Sequence, residues 1–205
     1  GGDMFHSAIA VGGYGIVGII LMAVTRIIFD KIALPDISLR NEISKGNMAV
    51  AIADTSNVLA AAIIIRALRI WVTDNSIDGI FALLAGYALS QFILTGTTCI
   101  RRKMFSAVHK NTNMQDELKN GNIALALSFA GRKIGTAFAI SIAANLIVYE
   151  IYDIKAIFLA WAGVSVAAIL LLRFLSFVAE RIILFRVNLS HEILEEKNIA
   201  VGALQ

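Results

Sequence analysis

Cysteine and proline are almost absent from this chain, one of each in 205 residues, and only 16% of its residues are charged. The lone Cys99 excludes an intrachain disulfide and any multi-cysteine metal site, and leaves the redox compartment open. Pro35 lies outside every long apolar stretch, so no proline kink is encoded within them. The three histidines, His6, His109 and His191, stand near or beyond the ends of those stretches. No serine or cysteine accompanies a histidine at a readable spacing, and Glu195 with Glu196 reads as a solvated linker face. The expectation is therefore a protein without catalytic residues, bound metal or cofactor.

What is abundant is apolar surface: 58% of residues are hydrophobic and the mean hydropathy is +0.77. Soluble domains hold about 45–50% apolar and about 25% charged residues. Residues 4–25 carry no formal charge with His6 neutral, 79–100 carry none, and 156–172 form a third such run that extends past Arg173 to Ala179. About 20 apolar residues cross a hydrocarbon core about 30 Å thick. The stretches 48–72, with Asp54, Arg66 and Arg69, and 123–148, with Arg132 and Lys133, are interrupted but long enough. A helix satisfies its own backbone in lipid, so these are read as spanning too. The chain is expected to be a single all-α membrane domain over 1–205, a polytopic transmembrane helix bundle of about five spans near 5–29, 48–72, 79–100, 123–148 and 156–179. Gly1-Gly2-Asp3 supplies no positive n-region for a cleavable signal peptide, and the first run is too long for one.

A short string recurs, starting near 42, 117 and 192: Glu42-Ile-Ser-Lys-Gly46-Asn47, Glu117-Leu-Lys-Asn-Gly121-Asn122 and Glu192-Ile-Leu-Glu-Glu-Lys-Asn198. Asn47 and Asn122 are 75 positions apart, Asn122 and Asn198 76, and each opens an apolar segment. Two crossings per unit make successive copies parallel, related by an axis along the membrane normal. The third copy has only seven residues beyond Asn198, too few to span. Of the 18 basic residues, twelve fall in the connections after the first, third and fifth spans, whereas loops 73–78 and 149–155 hold only Lys155. Short basic loops stay inside, which predicts an external N-terminus and a cytoplasmic C-terminus. The net charge of +3 reflects that asymmetry and forms no continuous stripe, so a nucleic-acid partner is not expected.

Ser38, Asn113 and Asn188 stand four residues before the three motif glutamates and are good N-cap types. Helices starting there place Glu42, Glu117 and Glu192 in the first turns, where the helix dipole favours a carboxylate. Two roles then compete for the asparagines: capping or bending the backbone at the interface, or converging around a cytoplasmic vestibule to coordinate a solute. Behind them, small residues recur at matched positions, Ala49 and Ala53 against Ala124 and Ser128, then Ser56 and Ala60 against Gly131 and Gly135. Such stripes let helix backbones approach closely in lipid, and Gly12, Gly13, Gly15 and Gly18 form another, within the chain or between subunits.

Asp54 lies seven residues beyond Asn47, and Arg132 and Lys133 lie ten and eleven beyond Asn122. At 1.5 Å per residue their depths differ by about 5 Å. Lone charges at that depth are costly, so an ion pair of Asp54 with Arg132 or Lys133 is expected across the two motif-led helices. The alternative is that both cations snorkel to the boundary and Asp54 faces water separately; Arg66, Arg69 and Arg173 are expected to snorkel. Asn57, Gln91 and Asn145 are read as interhelical hydrogen-bonding residues, with a pore lining as the other option.

An acidic residue, an apolar residue, a short polar step, Asn and then a small-residue-rich helix resembles the YjfL family of bacterial inner-membrane proteins, defined as a domain of unknown function. The likeness covers Glu42 to Ala62, Glu117 to Ala137 and Glu192 to Ala203; Gly131-Arg-Lys-Ile-Gly135 matches the family's mid-helix glycines, while Ser56 and Ala60 replace them. The resemblance implies a multi-pass inner-membrane protein with no established activity. The expected function is that of a non-enzymatic membrane subunit or scaffold, a homo-oligomer in the lipid bilayer whose cytoplasmic linkers could bind a protein partner. The competing class is a channel or transporter with Asp54, Arg132, Lys133, Asn47 and Asn122 on an aqueous path.

Overall fold

The computed structural model describes residues 2–73, 77–109, 112–149, 153–185 and 187–204, the side chains of 2–11, 14 and 77 excepted. Within them every regular element is helical. Helix α1 (Gly2–Ile28) continues into a π-helical turn (Phe29–Ala33); then come α2 (Leu39–Ser44), α3 (Met48–Trp71), α4 (Ile77–Val108), α5 (Met114–Lys119), α6 (Ile123–Ser141), α7 (Ala143–Leu146), α8 (Ile154–Ile183), α9 (Leu189–Leu194) and α10 (Ile199–Leu204). Four segments, Met48–Trp71, Asp78–Val108, Ile123–Leu146 and Ile154–Ile183, are long and apolar enough to cross a bilayer. Helix α1 has the length of a fifth, with part of its side chains outside the described residues. The molecule is an all-α bundle of four to five spans.

Each recurring string folds as a short helix, a left-handed residue and then the next helix. In the first turn Gly46 takes φ +83°, its N–H donates to Ile43 O at 2.9 Å, and Asn47 N–H donates to Glu42 O at 3.0 Å. In the second Gly121 takes φ +78°, with Gly121 N–H to Leu118 O at 3.1 Å and Asn122 N–H to Glu117 O at 3.0 Å. This pair of bonds closes a helix C-terminus through a left-handed residue, which glycine adopts without a Cβ penalty. The third turn has one residue more between glutamate and asparagine, and Lys197 takes the left-handed position at φ +50°. Asn198 N–H still reaches Glu192 O at 2.8 Å.

The asparagine then caps the helix that follows. Asn47 Oδ1 accepts from Val50 N–H at 3.2 Å, Asn122 Oδ1 from Leu125 N–H at 3.0 Å, and Asn198 Oδ1 from Ala200 N–H at 3.1 Å. The other end of the amide works twice. Nδ2 donates to the glutamate of its own turn, at 3.3, 2.9 and 2.8 Å for Glu42, Glu117 and Glu192. In the first two turns it also reaches forward to the next: Asn47 Nδ2 donates to Leu118 O (3.2 Å) and Lys119 O (2.9 Å), and Asn122 Nδ2 to Ile193 O (2.9 Å). Asn113 and Asn188 cap α5 and α9 through Gln115 N–H and His191 N–H, whereas Ser38 makes no side-chain cap. Gln115 also donates through Nε2 to Asp36 Oδ2 and accepts from Asp36 N–H, tying the first linker to α5.

Helices α3 and α6 form the most extensive pair and the centre of the bundle. Alanine at 49, 53, 60, 124, 126 and 137 is fully buried. In lipid no hydrophobic force drives helices together, so small side chains that admit close packing hold this pair. Helix α10 lies on α6 so tightly that a Cβ at Gly202 would collide with Ala124 O. One apolar cluster surrounds the turns, with Phe29, Leu34, Val50, Met114, Leu118 and Phe129. A second, at the other end, is pinned where Trp71 Nε1 donates to Ile147 O at 2.8 Å and the Trp71 ring lies 4.8 Å from that of Trp161.

Replacing Asn122 with Ala should remove a cap worth about 1 kcal/mol and orphan the Ile193 carbonyl, at about 1–3 kcal/mol more. Asn198→Ala loses the cap and the glutamate bond, as Asn122→Ala does, but no forward link, so denaturation in detergent should rank Asn122→Ala as clearly the more damaging; equal losses would refute the forward link. The Glu42 carboxyl is held below its usual 4.5, first by the Lys45 ammonium and then by the Asn47 amide. A depressed folded value stabilises above 4.5 and is lost as pH falls through it. The stability advantage of wild type over Glu42→Gln should therefore narrow as pH drops below that value, and a pH-independent difference would contradict the contact.

Candidate functional site

A polar band crosses the bundle between the two apolar clusters. Asp54, Ser56, Asn57, Gln91, Thr98, Ser128, Lys133 and Thr136 are all buried in it. The motif asparagines do not belong to it: their amides are consumed by caps, glutamates and forward carbonyls, and they do not converge on a vestibule.

The expected ion pair of Asp54 with Arg132 or Lys133 does not form. Asp54 Oδ2 accepts from Arg26 Nη2 of α1 at 2.6 Å. Arg26 stands seven residues before Ala33 and Asp54 seven after Asn47, so both lie equally far from the same end of the bundle. Arg132 Nη2 instead meets Glu180 Oε1 of α8 at 3.1 Å. Lys133 is buried among aromatic rings, with Nζ 4.2 Å from the Phe29 centroid and 5.7 Å from that of Phe129, and a 3.5 Å hydrogen bond to Thr98 Oγ1. Consecutive helical residues point about 100° apart, so Arg132 and Lys133 could not both face α3. The lysine does not snorkel either; a desolvated cation over an aromatic face gains about 2 kcal/mol.

Beside Lys133 lies a space of about 10 Å³ bounded by Thr98, Phe129, Arg132 and Thr136. That is room for about one water molecule. Asp54 Oδ1, Asn57 Nδ2 and Gln91 Nε2 are buried without a partner. Among the described residues no three of His, Cys, Asp and Glu gather as a metal site.

Two larger cavities open on the sides of the bundle. One, of about 730 Å³, lies between α4, α6, α8 and α9; it is walled by Ile93, Met104, Val166 and Leu170, with Arg101, Arg132 and Arg173 along it. Arg173, expected to snorkel, lines this cavity. Arg101 donates to Ser128 Oγ at 3.1 Å, while Arg132 Nε is buried without a partner. The other, of about 790 Å³, lies between α3, α6 and α8 and is walled by Ile63, Arg66, Gly135, Phe138 and Leu172.

Gly131, expected in a helix contact, is exposed; the close approach of α10 to α6 is at Ala124, seven residues earlier. Gly135 is half-buried, and a Cβ there would sit 3.2 Å from Leu172 Cδ2. At Gly12, Gly13, Gly15 and Gly18 no described residue lies within 4 Å of an added Cβ, so among the described residues none packs closely against that stripe. His6 lies outside the described side chains.

Long apolar helices around a buried polar band define a multi-pass membrane protein. A family model described as Domain of Unknown Function (DUF350) matches residues 3–101 and again 74–205, and the chain belongs to that family. No curated protein and no solved structure matches it.

A double-mutant cycle on Arg26→Ala and Asp54→Ala should give a coupling of about 0.5–3 kcal/mol, whereas Arg132→Ala and Asp54→Ala should add to within about 0.5 kcal/mol. The reverse pattern in detergent unfolding would restore the Asp54–Arg132 pairing.

Proposed function

We propose that this protein is a non-enzymatic, homo-oligomeric subunit of the bacterial inner membrane, built of parallel two-helix repeats with the motif turns on the cytoplasmic side and the N-terminus outside. The basic residues that gather in the turn-side connections support that orientation. The recurring hydrogen bonds of the three turns support the repeat, since each asparagine caps its own helix and bonds its own glutamate.

One observation carries the oligomer. On α3 the stripe Ala49, Ala53, Ser56 and Ala60 is buried along its whole length. On α6 the matching stripe, 75 positions on, is buried at Ala124 and Ser128, exposed at Gly131 and half-buried at Gly135, with Phe138 exposed beyond them. The surface that on α3 receives a helix is thus half empty on α6, and it borders the 790 Å³ cavity. A helix of a second copy is the occupant that the repeat logic names, because this chain already packs motif-led helices against one another. Against conduction stand the tight alanine packing of α3 on α6 and the space for a single water beside Lys133.

In lipid nanodiscs the wild-type particle should exceed the 22.1 kDa protomer by whole multiples. Gly131→Leu, at an exposed site, should return a monomer of unchanged helicity. A monomeric wild type in lipid would sink the proposal. Liposomes bearing wild type or Asp54→Asn should show neither conductance nor solute uptake, and a flux lost in Asp54→Asn would establish a transporter instead.

A further inference from the structure

The 730 Å³ cavity combines two features that the subunit role leaves unused. Its wall holds three guanidinium groups, from Arg101 on α4, Arg132 on α6 and Arg173 on α8, and among the described residues no carboxylate lines it. The nearby Glu180 pairs with Arg132 at 3.1 Å and also lies within electrostatic reach of Arg101 and Arg173, so one carboxylate faces three cations and the cluster retains an excess of positive charge. Arg173 makes no hydrogen bond or ion pair with any described residue, and Arg132 keeps a buried Nε–H without an acceptor. Three forked cations with free donors in one place are matched by an anion with several oxygens, such as a phosphate diester.

Most of the remaining wall is apolar, including Ile93, Ile100, Met104, Val166, Ile169 and Leu170, with Thr97, Ser128, His109 and Ser190 as its polar members. A small hydrated anion gains nothing from that surface, whereas an acyl chain does. Position along the helix agrees. Arg173 is 19 residues from Ile154 at the start of α8, about 29 Å along the axis at 1.5 Å per residue. The hydrocarbon core is about 30 Å thick, so the guanidinium stands at its boundary, the level of lipid phosphates. Helix α8 continues ten residues further, to Ile183. The volume falls within the roughly 300–1,000 Å³ of ligand-binding clefts.

We infer that this cavity binds one anionic phospholipid, its phosphate held by Arg101, Arg132 and Arg173 and an acyl chain lying between α4 and α8. Basic pockets between spanning helices are a known physical solution for lipid headgroups. The occupant is a lipid rather than a free phosphate because an apolar stretch, from Ile93 on α4 and Val166, Ile169 and Leu170 on α8, leads up to the arginines.

Native mass spectrometry of the full chain from mixed phosphatidylglycerol and phosphatidylcholine micelles tests this. Wild type should retain one phosphatidylglycerol at least tenfold in preference to phosphatidylcholine, and 10 mM-scale inorganic phosphate should not displace it. Arg173→Gln should lower that preference about tenfold, Arg173→Lys should lower it less, and Glu180→Gln should raise it. Arg40→Gln, an exposed arginine in the first linker, should leave it unchanged. Equal retention of the two lipids by wild type, displacement by inorganic phosphate, or a preference insensitive to Arg173→Gln would overturn the site. So would loss of a dimer rather than of a lipid in Arg173→Gln, which would assign the cavity to a protein contact. Should Arg173→Gln fail to fold, Arg173→Lys and Glu180→Gln carry opposite expected signs and decide the matter.

Discussion

The carboxamide of a motif asparagine has two ends, and the fold depends on their being used in different directions. Oδ1 starts the helix that follows, as in Asn47 to Val50 N–H and Asn122 to Leu125 N–H. Nδ2 is divided between the glutamate behind it and the backbone of the next turn, about 71 residues ahead. No other uncharged side chain of this size offers an acceptor and a two-proton donor on one rigid plane. The start of each motif-led helix is thereby fixed to its neighbour, and the alanine stripes behind Asn47 and Asn122 arrive in register. Without that registration the stripes would have no reason to meet, since lipid supplies no force that collects small residues.

The band of charges above the turns follows a different logic. Each charge solves its burial separately: Asp54 through α1, Arg132 through α8, Lys133 through two aromatic rings. Asp54, Arg132 and Lys133 thus tie α3 and α6 outward to the surrounding helices rather than to each other. The close approach of α3 and α6 is left to alanine, which tolerates no bulky ion pair between the backbones.

Much of this was legible in the sequence. The apolar runs and the recurrence at 75 residues give helices and turns, and glycine before asparagine marks where a helix closes and another opens. Depth along a helix was legible too, because it is linear in residue number. Azimuth was not. Asp54, Arg132 and Lys133 share a height, but their directions depend on how α3 and α6 rotate about their axes. Arg26 and Glu180 were hidden because they fall beyond the uncharged runs and count there as boundary charges, while α1 and α8 carry them back within reach of Asp54 and Arg132. The third turn shows what spacing can say: one extra residue leaves the Asn198 bonds intact and moves the left-handed role from glycine to Lys197. The exposed face of Gly131 had no signal, since glycine at helical spacing looks the same covered or open.

The forward bond also imposes an order in time. Asn47 leaves the ribosome with its Val50 and Glu42 partners at hand, but Leu118 and Lys119 follow only 71 and 72 residues later. At about 5–20 residues per second that is a wait of about 4–14 s. During it the Glu42 carboxylate is the acceptor within reach, at 3.3 Å in the finished fold. The glutamate thus gives the amide an acceptor before the forward carbonyls exist and keeps a share of it afterwards, and the bonds of Asn47 to the following linker form only when that linker has been made.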